Sequence, residues 1–204
     1  MKNYIIGIVC FSMAITAFAG CKKKDTTVEN LKSAITGETT ASKKYAAFAQ
    51  KAKEEKLDKI AKLFEAASNA EAAHAKKHTA VLEKMGEKMG SLDIKVNVKS
   101  TKENLDDALK GETYEIDTMY PDFIKKAKEE GKDEAANAFD WAFQVEKMHQ
   151  AFYKAAIDAL AKNDLKNLSD TYAVCPVCGN TVAGNAPKTC PICGAAQADF
   201  LVIK

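Results

Sequence analysis

Proline is scarce in this 204-residue chain, with four in all, and Lys, Ala and Glu are abundant. That composition excludes a proline-rich or disordered chain and favours helices. An excess of either charge is also missing. Thirty basic residues face 28 acidic ones, for a net charge of +2, and the signs are interspersed. This gives no case for nucleic acid or for a strongly anionic partner. A disulfide framework is missing too. Four of the six cysteines form two Cys-x-x-Cys pairs near the C-terminus, and Cys10 and Cys21 lie in the N-terminal segment. The apolar run from Tyr4 to Phe18 falls short of the roughly 20 residues of a comfortable membrane span. With Lys2 before it and small residues after it, residues 1–20 read as a signal peptide. What remains is long enough for one sizeable domain and one small one.

Ala19-Gly20-Cys21 resembles a bacterial lipoprotein cleavage site. Phe18 departs from the aliphatic residue usual three places before the cysteine, and the bland alternative is an ordinary signal peptide with a coincidental Cys. The resemblance implies that Cys21 is the lipidated first residue of an exported protein held to a bacterial membrane, on the periplasmic or cell-surface side, by a lipid anchor alone. Residues 21–27 would then be a tether.

The next part, residues 28–163, reads as four amphipathic helices. Thr26-x-x-Glu29 and Ser100-x-x-Glu103 have the form of capping boxes opening the first and third. The buried face of the first is Leu31, Ile35, Glu38, Ser42, Tyr45, Ala49 and Ala52. The second, about Asp58 to Met85, turns Ile60, Leu63, Phe64, Ala67, Glu71, His74, His78, Val81 and Met85 inward. The fourth, about Asp133 to Lys162, does the same with Ala135, Phe139, Ala142, Glu146, His149, Tyr153 and Ala156. Pro121 should kink the third helix. Connections near Glu55 and Gly131 are short, whereas Gly86 to Lys99 is long, with a possible extended piece at Val96 and Val98. One long crossover predicts a ferritin-like rather than an up-down-up-down bundle.

The third helix carries Gly111-Glu112-Thr113-Tyr114-Glu115, which puts two carboxylates on the core side. A lone buried carboxylate is costly and must be neutralised, paired or bound to metal. Each of the other helices also has a glutamate near the middle of its buried face: Glu38, Glu71 and Glu146. His74 and His149 follow the last two by three residues, on the same face. Two single-Glu helices plus two Glu-x-x-His helices form the ligand set of a dinuclear carboxylate site. A lone Glu-x-x-His on a Lys/Glu-rich helix is usually a solvated pair; two on core faces with two further core glutamates are not. Four glutamates nearly neutralise two divalent ions, and imidazole binds iron without adding charge. His78, one turn beyond His74, reads as an outer or bundle-end histidine rather than a ligand.

After a linker, residues 164–173, come Cys175-Pro-Val-Cys178-Gly and Cys190-Pro-Ile-Cys193-Gly. Four thiolates at this spacing suit a tetrahedral iron or zinc ion in a domain of residues 174–204. Two disulfides are the competing arrangement. Asn180 stands where an aromatic often follows such a knuckle, and Phe200 is the aromatic of this segment.

These motifs together resemble the rubrerythrin family over almost the whole mature length. Thr36-Gly37-Glu38-Thr39 with Tyr45, and Gly111-Glu112-Thr113-Tyr114-Glu115 with Met119-Tyr120-Pro121, carry the likeness. The resemblance implies a non-haem di-iron peroxidase that reduces hydrogen peroxide to water in oxidative-stress defence. Electrons would pass from an unidentified donor through a rubredoxin-like iron centre. It implies that Glu71 and Glu146 bridge the irons, that Glu38 is terminal on the first, and that Glu112 and His149 bind the second. Glu115 and His74 would exchange at the first iron, and Tyr45 and Tyr120 would hydrogen-bond the carboxylates. It also implies a head-to-tail homodimer in which the four-Cys centre of one chain serves the dinuclear site of another. Two readings compete: a ferritin-like iron-binding or ferroxidase protein with a structural zinc ribbon, and a binding module that docks the bundle to a partner.

Overall fold

The computed structural model describes residues 25–204. The signal-peptide and Cys21 lipidation expectations lie outside the described residues. Helix α1 spans Thr26–Glu54 and α2 Asp58–Lys84. The N-cap of α1 is Asp25, whose carboxylate accepts the Thr27 N–H at 3.1 Å. Thr26, expected to cap, is the first helical residue. A cap one residue earlier satisfies the Thr27 N–H instead, and a carboxylate there suits the helix dipole. The capping box Ser100/Glu103 opens α3 (Thr101–Tyr114) as expected.

The third helix does not simply kink at Pro121. A π turn, Glu115–Met119, follows α3, and α4 (Tyr120–Glu129) continues with Pro121 in its first turn. The Tyr120 N–H bonds the Glu115 carbonyl five residues back. Pro121 has no N–H to offer the preceding turn, which suits the wider register there. Helix α5 runs Asp133–Ala161. The connection between α2 and α3 is the long crossover of the ferritin-like bundle. Val96 and Val98 lie in it without regular structure, and Val98 is exposed.

Two apolar clusters fill the bundle. One holds Tyr45, Phe48, Phe64, Leu105 and Tyr153; the other holds Leu31, Ile35, Leu82, Tyr120 and Phe139. Each fully buried large side chain contributes roughly 1.5–3 kcal/mol. Between the clusters lies a belt of buried carboxylates and imidazoles.

The C-terminal unit is a three-stranded antiparallel sheet of β1 (Tyr172–Val174), β2 (Thr181–Ala183) and β3 (Leu201–Ile203), with β1 central. Strand β1 begins within the stretch read as linker, so Tyr172 joins Phe200 as an aromatic of this unit. It packs on Phe152 of α5, ring centroids 5.7 Å apart. Trp141, also on α5, packs with Ile192 and Cys193 against the cluster of Ala173, Cys175, Cys178, Cys190 and Phe200. The bundle thus lends aromatic surface to a domain too small to build its own core. Among the described residues no helix is long and apolar enough to cross a membrane.

Candidate metal centre

All three histidines of the chain are buried in the bundle. Two overlapping quartets bring ligand atoms within 4.8 Å of one another: Glu38, Glu71, His74 and Glu146; and Glu71, Glu112, Glu146 and His149. Glu71 and Glu146 belong to both. His74 Nδ1 lies 2.9 Å from Glu71 Oε2 and 2.9 Å from Glu146 Oε1. His149 Nδ1 lies 3.2 Å from Glu71 Oε1 and 2.8 Å from Glu146 Oε2. Each shared glutamate therefore turns one oxygen to each histidine, as a carboxylate bridging two ions must.

The donor set fits metal. Glu38 Oε2, both Glu71 oxygens, Glu146 Oε1 and His74 Nδ1 are buried without a hydrogen-bond partner. Polar atoms so close together and yet not hydrogen-bonded have convergent lone pairs, which cations would satisfy. Two tyrosines complete the belt. Tyr45 Oη donates to Glu112 Oε1 at 2.8 Å, and Tyr120 Oη donates to Glu38 Oε1. Tyr45 follows Glu38 by seven residues and Tyr120 follows Glu112 by eight; the π turn accommodates the extra residue. Each tyrosine thus reaches across to the glutamate of the other single-Glu helix.

Glu115 stands apart. It is half-buried, and neither quartet contains it. Burial raises its pKa well above the usual carboxylate value, and the nearby charges of Glu38 and Glu112 raise it further. His74, its expected exchange partner, is in the first quartet.

The four-Cys unit covers this site. His74 Nε2 is 3.1 Å from the Cys178 carbonyl oxygen, and His149 Nε2 is 3.0 Å from Thr181 Oγ1. Gly179 permits the approach. Its φ is +76°, and a Cβ there would lie 2.3 Å from His74 Nε2 and 3.0 Å from the Ala70 carbonyl. The sulfurs of Cys175 and Cys193, and of Cys178 and Cys190, are 3.5 Å apart, and the four cysteines are free thiols. A tetrahedron with 2.3 Å metal–sulfur bonds has edges of about 3.8 Å, whereas a disulfide needs about 2 Å. The disulfide alternative is therefore not the state seen here.

The Rubrerythrin family model matches residues 29–157, and the model for the rubrerythrin rubredoxin-like domain matches residues 174–201. The chain belongs to the rubrerythrin family. It is 39% identical over 168 residues to nigerythrin of Nitratidesulfovibrio vulgaris, covering 82% of this chain and 81% of that one. It is 32% identical to rubrerythrin-2 of Clostridium acetobutylicum, covering 87% and 97%. The solved structure of fully reduced, all-ferrous nigerythrin superposes with a TM-score of 0.77 at 34% identity, covering 99% of this chain and 100% of that one. As in that family, the chain joins a ferritin-like di-iron site to a four-Cys rubredoxin-like site.

Within the single described chain, the four-Cys domain lies on that chain's own bundle. Lys59 Nζ, near the start of α2, donates to the Lys166 and Leu168 carbonyls, and Lys62 Nζ donates to that of Asp170. The linker is thereby pinned and turned back along α2. From Lys59 to His74 is about 22 Å of helix, which the ten residues from Leu168 to Cys178 span without strain.

Electrostatics in this rubrerythrin-family site follow from burial. Glu38 and Glu112 have pKa values raised well above normal, by burial first and then by the neighbouring carboxylates. Burial disfavours charged His74 and His149, but the carboxylates of Glu146 and Glu71 outweigh it and raise both pKa values. Burial likewise opposes the Glu146 charge, and His74 and His149 overcome it and lower that pKa. Protons thus occupy the positions that cations would take. Burial pushes the Cys193 thiol up to about 11 and Cys178 higher, so a metal must displace these protons.

Sequence reading missed Thr181, Gly179, Tyr153 and Trp141 as parts of the site. Tyr153 had a signal: it follows His149 by four residues, as His78 follows His74. The other three had none, because their roles arise from how two domains meet.

Proposed function

We propose that the protein is a non-haem di-iron peroxide reductase. It converts hydrogen peroxide, two electrons and two protons to two waters. The carrying observation is the hydrogen bond from His74 Nε2 to the Cys178 carbonyl. It joins a residue of the first quartet to a residue of the four-Cys site without a solvent gap. Two ferrous ions would supply both electrons to the O–O bond together, and a four-Cys iron, the reading preferred here over zinc, would return them singly.

The chain's own residues do the rest. Glu71 and Glu146 would be shared by two ions, Glu38, Glu112, His74 and His149 would hold the outer positions, and Glu115 would alternate with His74 at the first. Tyr45 and Tyr120 orient Glu112 and Glu38, so that their free oxygens face the centre. Glu115 lies within the electrostatic reach of Glu38 and Glu112, so it would be the carboxylate added to the first position when the ion there gains charge. In the described arrangement His74 is the residue of this pair that belongs to the first quartet.

The test is anaerobic. Iron-loaded protein, reduced chemically, is mixed with one equivalent of hydrogen peroxide or with dioxygen, and reoxidation is followed by absorbance. Faster reoxidation by peroxide is expected. Faster reoxidation by dioxygen with retention of ferric iron would replace the proposal with a ferroxidase. We further propose, from residues 1–21 of the sequence, that the protein is exported and lipidated at Cys21. Intact mass of the membrane fraction tests this, and a mature chain without acyl mass refutes it.

A further inference from the structure

Thr181 is the first residue of β2, pairs with Val174 of β1, and is buried. Its single hydroxyl proton is donated to the Gly179 carbonyl at 2.9 Å. The oxygen is then an acceptor in its other contact, so the hydrogen in the 3.0 Å contact with His149 must come from Nε2. An imidazole with its hydrogen on Nε2 presents Nδ1 as a bare lone pair when neutral. Nδ1 is the atom aimed between Glu71 and Glu146. The choice of tautomer is therefore made outside the bundle, by a side chain of the four-Cys domain. His149 is wholly buried, so no water replaces that acceptor.

We infer that Thr181 is a positioning residue for the second metal position: by accepting the His149 Nε2–H it fixes the ring with Nδ1 toward the ion. This rests on the di-iron reading above. It makes the folded, docked four-Cys domain a structural part of the dinuclear site. Metal that folds the small domain raises the bundle's affinity at the second position, and linkage requires the reverse by the same factor. The first position is affected differently. His74 is held by the Cys178 backbone carbonyl, which a side-chain substitution at residue 181 leaves in place.

The test uses the full chain with zinc in the four-Cys domain and an empty bundle, titrated with cobalt(II) without oxygen. Cobalt absorption reports binding without turnover. The unaltered chain should take up two cobalt ions. Thr181→Val keeps the shape but removes the acceptor. It should lower the affinity for one ion by about 10- to 100-fold and leave the other within about threefold. Thr181→Ser should restore the lost affinity. Thermal melting of the zinc-loaded variants checks folding, and Thr181→Ala carries the same expectation if Thr181→Val does not fold. Unchanged affinity for both ions in the acceptor-less variant would overturn the inference. So would a Thr181→Ser chain as weak as Thr181→Val, because the hydroxyl would then not be what matters. Fewer than two ions in the unaltered chain would instead refute the di-iron reading itself.

Discussion

The two halves of the dinuclear belt share a ligand pattern and differ in what stands behind it. On the second side, Tyr45 donates to Glu112 and is backed by Tyr153, ring centroids 5.7 Å apart, in an aromatic group with Phe48 and Phe64. On the first side, Tyr120 donates to Glu38 and is backed by His78, with Nε2 3.2 Å from the tyrosine oxygen. The first side also has the π turn and Glu115. The second is closed by Thr181, the first by a backbone carbonyl. Near-symmetric ligands in unlike surroundings would suit the proposed division, with one ion held fixed and the other changing partners.

The largest expected effect comes from breaking both halves together. Glu146 is the carboxylate that both imidazoles touch, so Glu146→Ala removes a bridge and leaves His74 and His149 facing fewer anions. Iron content of the bundle should fall from two to one or none, with a lower melting temperature. Two irons retained would refute the shared-ligand assignment. Glu115→Ala, by contrast, should keep ferrous iron and lose peroxide reactivity, since the first side alone depends on it. Unchanged peroxide kinetics would remove Glu115 from the exchange.

Gly179→Ala attacks the contact over the first side. An L side chain at φ +76° costs roughly 1–2 kcal/mol, and the added Cβ meets the His74 ring and the Ala70 carbonyl. The ring is fixed by its own carboxylates, so the knuckle must move. A loss of about 2 kcal/mol or more is expected, a melting shift of roughly 4–8 °C, together with slower electron transfer from the four-Cys iron. Wild-type melting and transfer rates would show that the approach is looser than described.

The sequence announced the clustered carboxylates and imidazoles more clearly than their setting. Glu38, Glu71, His74, Glu112, Glu146 and His149 were legible because helical spacing alone puts them on core faces, where a carboxylate has few reasons to be. Glu115 was legible as an extra acid, but its position outside the quartets was not. That depends on a π turn, and Pro121 hinted only at a kink. The place of the four-Cys domain on the bundle was the least legible feature. It is set by Lys59 and Lys62 reaching linker carbonyls and by a glycine that lets one backbone touch one imidazole. Neither leaves a periodic trace.

Acidity separates the belt from its surroundings. Glu38, Glu112, Glu115, His74 and His149 have raised folded pKa values, so the metal-free native chain binds more protons than the unfolded one. Its stability should therefore fall as pH rises above about 4.5 for the glutamates and about 6.5 for the histidines. Metal ions replace those protons, so stabilisation by bound metal should grow over the same range. Melting with and without metal from pH 5 to 8 measures both slopes. A metal-free chain that gains stability across this range would show that the carboxylates are not held together without ions.

The smallest expected effect is at His78, and it has the opposite sign. Burial, reinforced by the charge of His74, lowers its pKa to about 3, so it is neutral in the native protein. Nδ1 has no partner, and the ring packs on Phe139 at 5.2 Å. When Glu38 is an ionised ligand, Tyr120 gives it its one proton, and the hydrogen between His78 and Tyr120 belongs to Nε2. His78→Leu forfeits that bond, worth about 1 kcal/mol, but also removes a buried unsatisfied nitrogen that costs about 1–3 kcal/mol. At neutral pH the variant should be as stable as the parent or up to about 2 kcal/mol more stable. On acidification the gap should widen. The unfolded histidine takes up a proton below about pH 6.5, whereas the native one resists until about 3. The parent thus loses stability through this window, and a leucine chain does not. At the iron site the sign reverses: Tyr120 without its hydrogen-bond donor is a weaker donor to Glu38, and the absorption of the first ferric ion should shift. His78→Gln, which can still donate to Tyr120, should restore the spectrum. A pH-independent stability difference would show that His78 is not held neutral, and an unshifted spectrum would reduce the second half of the comparison to packing alone.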